Sequence, residues 1–209
     1  MKRKPFRTTQ YAFLLMLLAA CKFSNAQQLD IFGGISMTGL NHKIAGTTQD
    51  NSGYINIHYG MGVMVPFKPK AFRADDGGSG LFPSLQFVKK GASKSSVVGP
   101  TLADVKLGYL QLNVPIYYLS GNYGIGFGPY AAYAVSGTKK NRTGNTDTQK
   151  IVFGTDINSF DYGLSLECKL SIFKMQYDLG LANIGAGTNG TVKTRSFSLG
   201  LAIPLVRQD

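Results

Sequence analysis

The sequence predicts an all-β fold, an eight-stranded antiparallel up-and-down transmembrane β-barrel, and three observations carry that expectation. Eight segments alternate apolar and polar residues with a period of two, an export leader precedes them, and no apolar run reaches the about 20 residues that a spanning helix needs. The sharpest alternation runs from Phe160 to Ile172. Phe160, Tyr162, Leu164, Leu166, Cys168, Leu170 and Ile172 are apolar, with Asp161, Gly163, Ser165, Glu167, Lys169 and Ser171 between them. An extended chain sends alternate side chains to opposite faces, so this segment has one apolar and one polar face. It is longer than the usual strand of about five or six residues and long enough for a tilted crossing of about 9 to 11.

The chain opens with Lys2, Arg3, Lys4 and Arg7, continues through the apolar stretch 11–20, and reaches Ser24-Asn25-Ala26. That order predicts a secretory signal peptide over 1–26, cut after Ala26, and leaves 27–209 as one outer-membrane barrel domain. Leu18-Ala19-Ala20-Cys21 also fits lipoprotein processing with acylation at Cys21, an alternative that stays open.

The formal net charge is +11, but Lys2, Arg3, Lys4, Arg7 and Lys22 lie in the leader, which holds no acid, so the remainder is about +6. Its basic residues are scattered without interleaved stacking aromatics, which argues against a nucleic-acid partner. Solvated loops are the ordinary use of such charge. Phosphate-bearing outer-membrane lipid headgroups or lipopolysaccharide are the partners it would suit best. Cys168 is the single cysteine beyond the leader, so no disulfide is expected.

In chain order the first strand, near 29–40, sets Leu29, Ile31, Ile35 and Met37 against Ser36 and Thr38. The second, near 54–67, opposes Ile55, Ile57, Tyr59, Met61, Val63, Val65 and Phe67 to Asn56, His58, Gly60 and Gly62. A weaker third places Leu81, Leu85 and Phe87 opposite Ser84 and Gln86. The fourth, 105–119, places Leu110, Leu112, Val114, Ile116 and Tyr118 opposite Gln111, Asn113 and Tyr117. In the fifth, 123–135, Gly124, Gly126 and Gly128 share the polar face, where glycine makes room inside a narrow barrel. The sixth is 160–172. The seventh, 173–183, opposes Phe173, Met175, Tyr177, Leu179 and Leu181 to Lys174, Gln176, Asp178 and Gly180. The eighth, 194–206, opposes Phe197, Leu199, Leu201, Ile203 and Leu205 to Ser196, Ser198, Gly200 and Ala202. Polar stretches at 41–53, 91–104, 137–157 and 184–193 read as extracellular loops. Ser120-Gly121-Asn122 and Ser171-Ile172 read as tight periplasmic turns, whereas 68–79 is long for one.

Alternation alone does not decide which face points inward. A soluble lipocalin-like ligand-binding barrel would put the apolar face inside. The inverted arrangement is favoured because the polar faces carry few charges and suit a crowded interior. Aromatics such as Tyr54, Phe67, Tyr118, Tyr123, Phe160, Phe173 and Phe197 also stand toward strand ends, as interfacial girdles do.

The runs Leu107-Gly108-Tyr109-Leu110-Gln111-Leu112-Asn113-Val114-Pro115, Gly126-Phe127-Gly128-Pro129-Tyr130-Ala131-Ala132-Tyr133, Phe160-Asp161-Tyr162-Gly163 and 177–184 resemble the PorT-like outer-membrane β-barrel proteins of Bacteroidota. The resemblance spans nearly all of the chain beyond the leader and bears on fold and location more than on activity. It implies an integral outer-membrane barrel, inserted with the barrel assembly machinery; some relatives are implicated in protein secretion. The chain ends Leu205-Val206-Arg207-Gln208-Asp209 rather than on the aromatic residue usual in such barrels.

An eight-stranded barrel is filled by its own side chains, so no wide pore is expected. The polar faces place His58, Gln111, Asn113, Asp161, Glu167, Lys169, Lys174, Gln176 and Asp178 in the lumen, and a turn near Ser171 brings Glu167 diagonally within reach of Lys174. These groups read as a charge-compensated core. His58 stands in a strand and His42 in a loop, with no serine or carboxylate at a spacing that would make a general base, so no enzyme is expected. No metal-ligand spacing or phosphate-binding loop is present, and no cofactor is expected. Lys139, Lys140 and Arg142 form a candidate basic patch in the longest loop. Three function classes remain: a scaffold or a surface where envelope proteins dock on the loops, an accessory of transport or secretion, and a lipid-directed hydrolase.

Overall fold

The structure, a computed structural model, describes residues 28–44, 47–50, 52–68, 77–95, 103–141, 148–186 and 190–207. The leader 1–26, Cys21 and Arg142 lie outside the described residues. So does the chain end at 208–209.

Twelve β-segments occur in order among the described residues. They are β1 (Gln28–Ile44), β2 (Thr47–Asp50), β3 (Ser52–Pro66), β4 (Gly78–Leu81), β5 (Ser84–Ser95), β6 (Ala103–Asn113), β7 (Ile116–Ser120), β8 (Tyr123–Asn141), β9 (Thr148–Lys150), β10 (Phe160–Leu170), β11 (Phe173–Gly180) and β12 (Gly190–Arg207). Antiparallel pairing runs from β1 to β12, β11, β10, β8, β6, β5 and β3, and β3 pairs back onto β1. The sheet therefore closes on itself as an eight-stranded up-and-down β-barrel. Closure removes every free edge from the ring, so the backbone polar groups along it find partners within it.

β4 continues into β5, and β6 into β7, each across a two-residue break. The breaks fall at Phe82-Pro83 and Val114-Pro115, where proline cannot donate to the ladder. Cross-bonds repair the loss: Phe82 N donates to Pro115 O, Val63 N to Pro83 O and Val114 N to Pro129 O, each at 3.0 Å. These breaks explain the faint pattern of the third predicted strand, which in fact begins at Gly78 and extends to Ser95. The loop expected at 91–104 is shorter, since β5 runs to Ser95 and β6 begins at Ala103, and the long turn expected at 68–79 ends where β4 begins at Gly78. His42, expected in a loop, lies in β1 and is buried.

The burial pattern is inverted relative to a water-soluble protein. Ile35, Ile57, Ile125, Phe127, Tyr133, Leu166, Phe197 and Ile203 point outward, each 45% or more exposed. Asp161, Glu167 and Gln111, by contrast, have no measurable exposure, and Lys90 has 1%. Such a wall suits hydrocarbon, not water, and the lipocalin-like arrangement is not the one adopted. The glycines of β8 do what their spacing predicts: a Cβ on Gly124 would come within 2.6 Å of the Tyr117 ring, and one on Gly126 would overlap that ring.

The interior is not uniformly hydrophilic, contrary to the expectation that polar stripes fill it. Toward the loop end it holds an apolar cluster including Leu40, Val88, Val105, Leu107, Tyr109, Val192, Ile157 and Ile184. Toward the turn end Met64, Phe82 and Tyr117 form a second one. Val105, Leu107 and Tyr109 share the inner face of β6, and Ile157 and Ile184 close over them from connections that read as merely polar. The polar groups occupy the layer between.

Candidate functional site

Three charge centres make up this internal layer. Asp161 on β10 accepts from Lys90 Nζ at 2.9 Å, from Thr194 Oγ1 at 2.8 Å and from Tyr130 OH at 3.3 Å. The Lys90 ammonium also lies 4.5 Å from the Tyr130 ring centre and 5.3 Å from that of Tyr109. Lys90 does not stand out in the sequence, where the third strand is expected to end near Phe87; Tyr130 and Thr194 fall inside predicted strands, at positions in step with the inward residues Gly128 and Ser196. Extending the third strand's parity from Ser84 and Gln86 points Lys90 inward.

Asp178 on β11 has no cation bonded to it among the described residues. Instead Ser165 Oγ and Gln176 Nε2 donate to its Oδ1, each at 2.8 Å, while Gln111 Nε2 at 2.9 Å and Ser196 Oγ at 3.1 Å donate to its Oδ2. Four neutral donors can hold a buried carboxylate without a counter-ion. Gln111 also donates to Asn113 Oδ1 at 2.8 Å.

Glu167 and Lys174 approach to 2.9 Å, the diagonal contact that the β10–β11 hairpin allows, since Glu167 stands opposite Gln176 and Lys169 opposite Lys174. Asn113 Nδ2 donates to the other Glu167 oxygen at 3.4 Å. The Lys174 ammonium is 3.9 Å from the Phe32 ring centre, a cation–π contact. At the turn end Lys169 pairs with Asp30 at 2.6 Å, and Gln28 Nε2 donates to the second Asp30 oxygen at 2.6 Å.

His58 points into the same interior and is buried. No metal-binding group of His, Cys, Asp or Glu occurs among the described residues. The nine lumen residues expected from the sequence thus all lie on the inner wall, eight of them buried and Lys169 partly so. Gln111 and Asn113 join the Asp178 and Glu167–Lys174 centres, with Gln176, into one network, while Asp161 pairs with Lys90 and Lys169 with Asp30.

The loop basic patch is not assembled as expected. Lys139 and Lys140 are neighbours on β8 and project to opposite faces; Lys139 pairs with Asp156 at 3.7 Å, and Lys140 stands opposite Asp104. Outward cations gather elsewhere on the loop-end rim: Lys43, Lys193 and Arg195 on β1 and β12, and Lys89, Lys106 and Lys150 on β5, β6 and β9.

In structure the chain is similar to Ail, the attachment invasion locus protein of Yersinia pestis, crystallised in complex with the heparin analogue sucrose octasulfate. The TM-score is 0.40 with 13% identity, covering 84% of this chain and 98% of that one. It is also similar to Neisserial surface protein A, with a TM-score of 0.46 and 11% identity, covering 86% of this chain and 97% of that one. No protein-family model matches the chain, and no curated protein matches it in sequence.

Proposed function

We propose that this chain is a non-enzymatic integral protein of a bacterial outer membrane, acting as a membrane scaffold or as a docking surface through its loop end. The observation that carries this reading is the inversion of the barrel, with its apolar residues outward and its charged residues buried. Lipid tails satisfy such a wall and water does not. The interior supports a closed barrel, because two apolar clusters bracket a polar layer whose charges find partners within it. A hydrolase reading has little support, since His58 is enclosed in that interior. Kinship with the PorT-like barrels, and with it an accessory role in secretion, rests on the sequence runs alone.

Envelope fractionation followed by electrophoresis with and without boiling tests the reading. The processed chain is expected in the outer-membrane fraction, migrating faster unheated than heated. Recovery as a stable monomer from detergent-free buffer would overturn it.

A further inference from the structure

The rim cations at the loop end are not evenly distributed. On the seam between β1 and β12, Arg195 stands opposite Gly39, Lys193 opposite Asn41, and Lys43 opposite Thr191. All three cations are exposed and on the outer face, and the residues facing them across the β1–β12 seam are uncharged; on the far side of β1, Asp50 of β2 stands opposite Asn41. Cross-strand neighbours in a sheet are about 5 Å apart and alternate residues of one strand about 7 Å, so the three charges lie within reach of one small anion or of two linked ones.

Arg195 is also held in place. With the Asn41 amide oxygen turned toward it, that oxygen accepts from Arg195 Nη2 at 2.9 Å and Nε at 3.0 Å. Beside it, a Cβ built on Gly39 meets no atom within 4 Å, which leaves open space on the wall next to the guanidinium. Directly below, toward the membrane centre, Met37 and Phe197 face each other across the seam, 56% and 48% exposed. The patch therefore begins where the apolar wall ends.

A ligand fitting both features has acyl chains against Met37 and Phe197 and phosphate at Arg195, Lys193 and Lys43. We infer that this seam binds the phosphorylated headgroup of a lipid in the loop-side leaflet, which, on the outer-membrane reading that this rests on, is the lipid A leaflet. Guanidinium gives paired donation to phosphate oxygens, and the ammonium groups supply charge. The second rim cluster, around Lys89 and Lys106, has Asp104 within it and no guanidinium among the described residues, and is the weaker site. At the opposite end of the wall Lys68 is exposed and serves as a control.

The test is native mass spectrometry of the detergent-solubilised, folded protein titrated with lipid A, with lipid A stripped of its phosphates, and with inorganic phosphate. Heat-modifiable mobility is recorded for each variant. The expected result is binding of lipid A only, falling about fivefold for each of Lys43→Gln, Lys193→Gln and Arg195→Gln, and unchanged by Lys68→Gln. Equal binding of the stripped lipid, undiminished binding by the triple variant, or displacement by inorganic phosphate at concentrations comparable to the lipid would overturn the inference. Loss of heat-modifiable mobility in the unaltered chain would instead count against the barrel reading itself.

Discussion

At the scale of single residues, tight turns and close approaches decide what is tolerated. The two-residue turns Gly121-Asn122 and Ser171-Ile172 both begin with a positive φ of 55°. Glycine adopts that conformation freely, whereas for serine it costs about 1 to 2 kcal/mol. Ser171→Gly is therefore expected to stabilise the barrel by about 0.5 to 1 kcal/mol after the extra freedom of glycine in the unfolded chain is subtracted, measurable as a higher urea midpoint in detergent or vesicles. Gly126 behaves in the opposite way. Its missing Cβ is space that the Tyr117 ring occupies, so Gly126→Ala should destabilise by about 1 to 3 kcal/mol. Trimming the ring in Gly126→Ala/Tyr117→Leu should recover part of that loss, and an equal or greater loss in the double variant would contradict the packing argument.

Among elements, the β10–β11 hairpin shows how charge is accommodated in the interior. Glu167 and Lys174 are both buried and depend on each other across the hairpin. Lys174→Met leaves a carboxylate without its cation and should cost about 3 to 5 kcal/mol, while Glu167→Gln/Lys174→Met should cost clearly less than the sum of its single changes. Additive losses in a double-mutant cycle followed by urea unfolding would mean that the pair is not coupled. This hairpin was legible in the sequence because period-two alternation and a two-residue turn fix its register. The third strand was less legible, since Pro83 breaks the ladder and Lys89-Lys90-Gly91 resembles a loop, and with it the partner of Asp161 was lost. The apolar loop-end cluster was hidden for another reason. Ile151, Ile157 and Ile184 lie in connections without periodicity, and only folding brings them over Leu107 and Tyr109. The rim patch on β1 and β12 escaped notice because Lys43 and Arg195 are about 150 residues apart in a chain whose closure makes them neighbours.

For the whole molecule, the question is which solvent the outer wall meets, and one substitution separates the possibilities. Leu166 lies mid-strand in β10, 45% exposed, between Phe127 of β8 and Tyr177 of β11. If hydrocarbon covers it, Leu166→Arg should cost about 2 to 4 kcal/mol in lipid vesicles, because the guanidinium must be dragged toward the headgroups or hydrated in place. Val152 is exposed to 58%, but it lies in the loop-end connection after β9, beyond the wall. Val152→Arg should therefore stay within about 0.5 kcal/mol of the unaltered chain. The sequence contains no tryptophan, so unfolding is best followed by circular dichroism or by the gel shift between folded and boiled forms. A penalty at Leu166 that vanishes at Val152 assigns the wall to lipid. Equal and small effects at both positions would return the barrel to water and remove the basis for a membrane protein.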